Sequence, residues 1–300
     1  MLYDCIIIGG GIAGLQAAIQ LGRYQHKVLV VDSGHGRSTL CQSYHNLLGW
    51  PEGISGEKLR KLGRVHAESY GIDFIEDTVT QVRKSELGFD FMLKLSSVHY
   101  ESRTLLLATG VLDRFPAFPE LIPCLGLTVY VCPDCDGYEI RDKRTIVMGS
   151  GETGAEMALV LYPYTQDLVY INHEMQVVKE ATLHKLAEKG ISYYAEIMKG
   201  IRSNTAGHFQ GVQLQKGLFI EAERGFIAFG GNEVRTQLAE QLGIKCMDNK
   251  HIITDPRSKM TSVANVWAAG DVGIHAEQVS VAMGEGSLSA IWIHKALAGS

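Results

Sequence analysis

A glycine-rich hexapeptide occurs twice in the chain, as Gly9-Gly10-Gly11-Ile12-Ala13-Gly14 and as Gly149-Ser150-Gly151-Glu152-Thr153-Gly154. Around the first copy, Tyr3 to Ile8 predicts a buried strand, Leu15 to Tyr24 a helix and Val28 to Asp32 a second strand. Around the second, Thr145 to Met148, Ala155 to Tyr162 and Asp167 to Asn172 repeat that order. The interval from the last glycine to the polar residue closing the second strand is the same in both, Gly14 to Asp32 and Gly154 to Asn172. Each copy therefore reads as a βαβ unit, and a chain of 300 residues is long enough to bury two cores. The expected fold is α/β, with two doubly wound Rossmann-like dinucleotide-binding domains, the second inserted in the first. Residues 1–112 and 244–300 are expected to form the discontinuous outer domain, and residues 113–243 the inserted one.

Between and after the two units, Gly53 to Tyr70 predicts a helix, Phe74 to Leu95 short strands, and Thr104 to Thr109 an apolar strand ending at Gly110. Arg114 to Pro123 reads as an extended linker, Val234 to Leu242 as a helix and Val263 to Asp271 as a strand. Ala276 to Leu297 reads as a helix interrupted at Gly284-Glu285-Gly286. With 46% apolar and 20% charged residues, the chain is neither mainly disordered nor a bundle of membrane spans. A formal charge of −5 argues against a nucleic-acid partner and against docking on an anionic membrane. Six cysteines are too few for a disulfide scaffold, and the sequence opens without a basic leader, so a cytoplasmic location is expected and any disulfide chemistry should be catalytic.

In the first turn, Gly9, Gly11 and Gly14 hold the defining positions of a pyrophosphate turn that opens a helix. Asp32 ends the next strand, where a carboxylate accepts the ribose hydroxyls. The second turn keeps Gly149, Gly151 and Gly154 but has Asn172 at the ribose-reading position, followed by His173, Glu174, Met175 and Gln176. No fixed cation follows until Lys179, which disfavours NADPH, because a 2′-phosphate needs one there. The Asn172 amide could hold a ribose diol, so NADH stays open beside a turn that has lost its nucleotide.

Cys132-Pro133-Asp134-Cys135 spaces two thiols for a reversible disulfide, with one thiolate attacking a partner and the other resolving the mixed disulfide. A zinc site is disfavoured because there is no second C-x-x-C, and Cys5, Cys41, Cys124 and Cys246 are scattered. Asp136 is a candidate proton carrier for the thiolate left by reduction, although Asp-Gly is equally ordinary turn chemistry. The charges of Asp134 and Asp136 should raise the thiol pKa values. The eleven histidines show no metal spacing, and none is assigned a role.

Together these residues resemble the low-molecular-weight thioredoxin reductase family of flavin disulfide reductases, over nearly the whole chain. Gly9 to Gly14 with Asp32 looks like its FAD site. The segment from Asn46 through Gly56 is similar to one that approaches the flavin, with Asn46 as a cofactor-binding residue, and Ala108-Thr109-Gly110 matches the strand end before its linker. Cys132 to Gly137 looks like its C-x-x-C-D-G site. Val266 to Val272 resembles the late FAD motif, which would put Asp271 near the ribityl chain and Gln278 near the isoalloxazine. The resemblance implies that Cys135 faces the flavin as the charge-transfer thiolate, Cys132 is the interchange thiol and Asp136 the acid/base, in a homodimer. Members that use NADPH carry H-R-R-x-x-x-R after the second unit, and here Asn172 to Val178 lacks all three arginines; Glu277 also replaces a basic residue before Gln278. The pattern looks more like ferredoxin-linked, deeply rooted or diflavin branches, so the middle domain is expected to hold NADH, a second FAD or nothing. The implied function is FAD-dependent exchange of two electrons with a thioredoxin-like protein or small dithiol, possible donors including ferredoxin. A flavin dithiol oxidase using oxygen and a redox-sensing FAD protein without turnover are the alternatives.

Overall fold

The structure is a computed structural model that describes residues 2–85, 91–96, 98–273 and 276–299. It divides into two compact units, one comprising Met1–Thr39, Glu57–Leu112 and Glu233–Ser300, the other Leu40–Gly56 and Asp113–Asn232. The second is thus inserted in the first, and both are Rossmann-like.

In the first unit, Val28–Asp32 and Leu2–Ile8 are almost continuous apolar runs because both faces of the parallel sheet are covered, one by helical residues such as Leu21 and Ile293 and the other mainly by strand and loop residues such as Val82, Leu93 and Ile252. The strands lie in the order Asp73–Glu76, Val28–Asp32, Leu2–Ile8, His99–Leu107. The start of His99–Leu107 pairs antiparallel with Phe91–Lys94, and its end pairs parallel with Val266–Ala268. In the second unit, five parallel strands are ordered Ser192–Tyr194, Leu168–Asn172, Thr145–Gly149, Arg224–Ala228, Val129–Tyr130. A three-stranded antiparallel sheet, Met198–Ser203, Phe209–Leu214 and Phe219–Glu221, packs on one face through Val212, Leu214 and Ile220.

The structure corrects the return boundary, placed above at 243/244 and found at 232/233. Glu233–Val234 pairs with Val111–Leu112, and Leu238, Ala239 and Ile244 lie in the first unit's core with Leu105 and Val266. Residues 40–56 also belong to the second unit, contrary to expectation. Gln42 N–H donates to the Leu125 carbonyl at 2.9 Å, and Tyr44 and Ile54 bridge across the segment. Within Arg114 to Pro123 the backbone is not wholly extended, since Pro119–Cys124 forms a 3-10 helix.

The interruption at Gly284-Glu285-Gly286 is absent, because Val279–Ala298 is one continuous helix. Its glycine answers to packing instead: a Cβ on Gly286 would stand 2.3 Å from the Ala13 carbonyl oxygen, so this residue lets two helices touch backbone to backbone. Neighbouring Glu285 is buried, where it accepts from Gly270 N–H at 3.0 Å and pairs with Lys259 at 2.8 Å.

Candidate active site and two dinucleotide turns

The first turn joins the strand Leu2–Ile8 to the helix Ile12–Arg23. Gly9 has φ +112°, and a Cβ there would lie 2.2 Å from the Ala108 carbonyl oxygen. A Cβ on Gly14 would lie 2.0 Å from the Gly9 carbonyl oxygen, which is why strand and helix can meet so closely. Beside Gly11, by contrast, a Cβ would meet nothing within 4 Å. Space therefore opens where the helix N-terminus and its free N–H groups face outward, and a pyrophosphate fits there. Asp32 stands at the end of the next strand and accepts from Arg60 at 2.5 Å, a cation supplied by the helix Gly56–Glu68 that sequence spacing did not single out.

Asp271 accepts from Arg37 at 3.0 Å, and the same guanidinium reaches Glu277 at 2.6 Å. Glu277, where a basic residue was expected from the resemblance, is thus tied into a salt-bridge cluster. Gln278 immediately precedes the helix Val279–Ala298 and is half-buried. Gly110 has φ +69°, and its carbonyl accepts from Arg235 N–H at 3.1 Å. Gly9, Gly11, Gly14, Asp32, Gly110, Asp271 and Gln278 all belong to the first unit, whereas Asn46, exposed, belongs to the second.

The cysteine pair is shaped by one helical turn. Cys132 is extended, at φ −115° and ψ 112°, and caps the short helix Pro133–Asp136, with Pro133 setting the first helical φ. The Cys135 N–H donates to the Cys132 Sγ at 3.2 Å. The Cys135 side chain, hydrogen-bonded to the Cys132 sulfur, holds the Cys132 thiol below its ordinary range, and the Cys135 N–H adds to this against the opposing effects of burial, Asp136 and Asp134. The charges of the two aspartates push this thiol up, as expected, and are outweighed by the contacts of Cys135. None of the six cysteines is in a disulfide here. Burial pushes Cys5 and Cys41 up to about 12, and raises Cys124 and Cys246 as well.

Asp136 carries the opposite perturbation. Burial, with a smaller contribution from the charge of Glu139, raises its carboxyl from 3.8 to about 7. A nucleophilic sulfur and a carboxylic acid that holds its proton near neutrality thus stand four residues apart on one turn.

The second turn joins the strand Thr145–Gly149 to the helix Gly151–Leu161. Here Asn172 is fully buried: its Oδ1 accepts from Gly151 N–H at 2.9 Å, and its Nδ2 donates to the Gln176 carbonyl at 2.7 Å and to Tyr193 Oη at 3.0 Å. The expectation that this amide is open to a ribose diol is corrected, because both its ends are engaged within the protein. His173 Nδ1 accepts from Met198 N–H at 2.8 Å, and burial lowers its pKa. Glu174 pairs with Arg114. Lys179, the first cation of the segment, stands 3.4 Å from Glu152, whose carboxylate also accepts from Lys179 N–H and Thr182 Oγ1.

Among the described residues, no group of three or more His, Cys, Asp or Glu could hold a metal ion, and no helix is long and apolar enough to cross a membrane. A family model described as pyridine nucleotide-disulphide oxidoreductase matches residues 3–286. A thioredoxin reductase of Rickettsia bellii is 27% identical, covering 97% of this chain and 97% of the relative. A 34.2 kDa protein in the rubredoxin operon of Clostridium pasteurianum is 27% identical over 99% of this chain and 97% of its own. A crystal structure from Bacillus anthracis, assigned as a thioredoxin reductase, superposes with a TM-score of 0.86 at 26% identity, covering 99% of both chains.

Proposed function

The chain belongs to the pyridine nucleotide-disulphide oxidoreductase family as a thioredoxin reductase-like, flavin-dependent enzyme, and on that basis we propose that Cys132 and Cys135 pass two electrons to a thioredoxin-type protein or small disulfide. The observation that carries this reading is the paired tuning within one helical turn: Cys132 is held below the usual thiol range and Asp136 is raised to about 7. When bound, FAD would supply the two-electron carrier between the electron donor and the Cys132–Cys135 couple. Gly9, Gly11 and Gly14 with the helix N-terminus would hold its pyrophosphate, Asp32 its ribose, and Asp271 the ribityl side.

The Cys132 thiolate attacks one sulfur of the partner disulfide, forming a mixed disulfide and releasing the partner's other sulfur as a thiolate. Cys135 then attacks the Cys132 sulfur, which frees the partner as a dithiol and leaves a Cys132–Cys135 disulfide. That disulfide returns to the dithiol on taking up two electrons and two protons. Asp136 delivers one proton to a leaving thiolate and regains it from solvent.

The electrons come from a carrier other than NADPH, such as a ferredoxin-type protein. Glu174 supports this reading, since it places a carboxylate and its Arg114 partner where a 2′-phosphate needs unpaired cations. Steady-state reduction of oxidised thioredoxin under anaerobic conditions tests it, with reduced ferredoxin or NADPH as alternative donors. Turnover is expected with ferredoxin and not with NADPH. Turnover with micromolar NADPH, or oxygen uptake driven by dithiols in place of disulfide reduction, would overturn it.

A further inference from the structure

We propose that Asn172 closes the second glycine turn to every dinucleotide, so that the protein carries one flavin per chain and no nucleotide in its middle unit. The proposal deepens the functional reading above, on which it rests, by naming the residue that excludes a second cofactor.

The two turns share a sequence pattern but differ in what surrounds their second glycine. Gly11 faces open space, whereas a Cβ on Gly151 would stand 3.0 Å from the Gln176 Cβ and 3.2 Å from the Val177 carbonyl oxygen. The Gln176 side-chain stem and the Val177 carbonyl therefore crowd this glycine, where the first turn is open. The reason is the residue at the end of the strand. Asp32, at the equivalent position of the first unit, is a carboxylate that binds Arg60. Asn172 is a neutral amide with both an acceptor and a donor, and a carboxylate could not donate to the Gln176 carbonyl. Its oxygen takes the Gly151 N–H that would otherwise face phosphate, and its nitrogen pulls in the Gln176 carbonyl.

Neighbouring groups hold the same arrangement. The Tyr170 hydroxyl donates to the Gly151 carbonyl at 2.6 Å, and a Cβ on Gly154 would meet the Tyr170 ring at 2.4 Å. Glu152, in the first turn of the helix, is bound to Lys179 and Thr182 and sets a negative charge beside the phosphate position. A dinucleotide would have to break the Asn172 bonds, displace residues 176–177 and approach that carboxylate. Each of these costs binding free energy, and the buried amide would be left with unmet partners. The retained glycines are thus explained by strand–helix packing and by the Asn172 bridge.

Two measurements on the purified holoprotein test this directly: FAD released per chain on denaturation, and titration with NADH and with NADPH followed by calorimetry. One FAD per chain and no saturable heat up to millimolar nucleotide are expected. Two FAD per chain, or saturation in the micromolar range by either nucleotide, would overturn the proposal. The assignment to Asn172 is tested by hydrogen exchange at the Gly151 amide. Asn172→Ala should speed that exchange by roughly tenfold or more with FAD content unchanged, since the Gly151 amide loses its Asn172 acceptor. Should that variant fail to fold, Tyr193→Phe removes one anchor of the same carboxamide and should speed the exchange several-fold. Unchanged exchange in whichever variant folds would overturn the assignment. A protein with two flavins that still reduces disulfides would lose this proposal and keep the proposed function; a one-flavin protein that does not reduce them would do the reverse.

Discussion

The Cys135 backbone N–H points at the Cys132 sulfur across 3.2 Å, so the residue proposed to resolve the mixed disulfide also stabilises a thiolate at the sulfur proposed to start it. A hydrogen bond to an ionised acceptor is among the stronger ones available to a short helix, and here it is fixed by the turn itself.

Selective alkylation follows from this contact. Cys5 and Cys41 are pushed up to about 12, and Cys124 and Cys246 are raised, whereas Cys132 is lowered. Limited iodoacetamide at slightly acidic pH, followed by peptide mass mapping, should label Cys132 ahead of those four by at least an order of magnitude, about the effect of one unit in thiolate fraction. Equal labelling of Cys41 would contradict the assignment.

Asp136 should impose a pH dependence of known sign. Between 3.8 and about 7 the folded chain keeps a proton that the unfolded chain has released. Its contribution to stability is therefore fully present below 3.8 and is lost as pH rises through about 7. Asp136→Asn should remove that slope, so the variant's melting temperature gains on the wild type as the solution becomes alkaline. Disulfide reduction by the wild type should fall above about 7, and the variant should be slower by about a hundredfold or more with that limb flattened. Glu139→Gln should move the same limb toward lower pH, because its charge is the second cause of the shift.

Gly286→Ala tests the close approach of the two helices in the first unit. The added methyl would lie 2.3 Å from the Ala13 carbonyl oxygen, with backbone rather than a pliable side chain in its way. A loss of roughly 1–3 kcal/mol of stability is expected from such overpacking, measured by denaturant unfolding. Because Ala13 lies inside the first glycine turn, FAD retention should fall as well. Gly284→Ala, which meets nothing within 4 Å, is the matched control: it should leave FAD retention unchanged and hold or raise stability, by up to about 1 kcal/mol, because it removes a glycine from a helix interior.

Much of this architecture was legible in the residues. The two apolar strand–turn–helix repeats, and the thiol spacing at Cys132 and Cys135, depend on local pattern, and local pattern survives folding. Gly284-Glu285-Gly286 was misread because glycine in a helix weakens it locally, and only the facing Ala13 backbone shows why the residue is needed. Asn172 was misread for a related reason. An amide at a strand end suits a ribose diol equally well on paper, and its partners Gly151, Gln176 and Tyr193 are chosen by the turn that follows. The thiol tuning at Cys132 also lay beyond charge counting, since the aspartates were visible in sequence and the opposing contacts of Cys135 were not.

Electrons are proposed to leave the bound flavin through this one pair of sulfurs. Anaerobic rapid mixing of the dithionite-reduced holoprotein with oxidised thioredoxin, followed by flavin absorbance, tests it most directly. The wild type should regain its oxidised spectrum in a single turnover, while Cys135→Ser, with its flavin content intact, should stay reduced. Reoxidation of Cys135→Ser at the wild-type rate, or a wild-type flavin that stays reduced, would contradict the account.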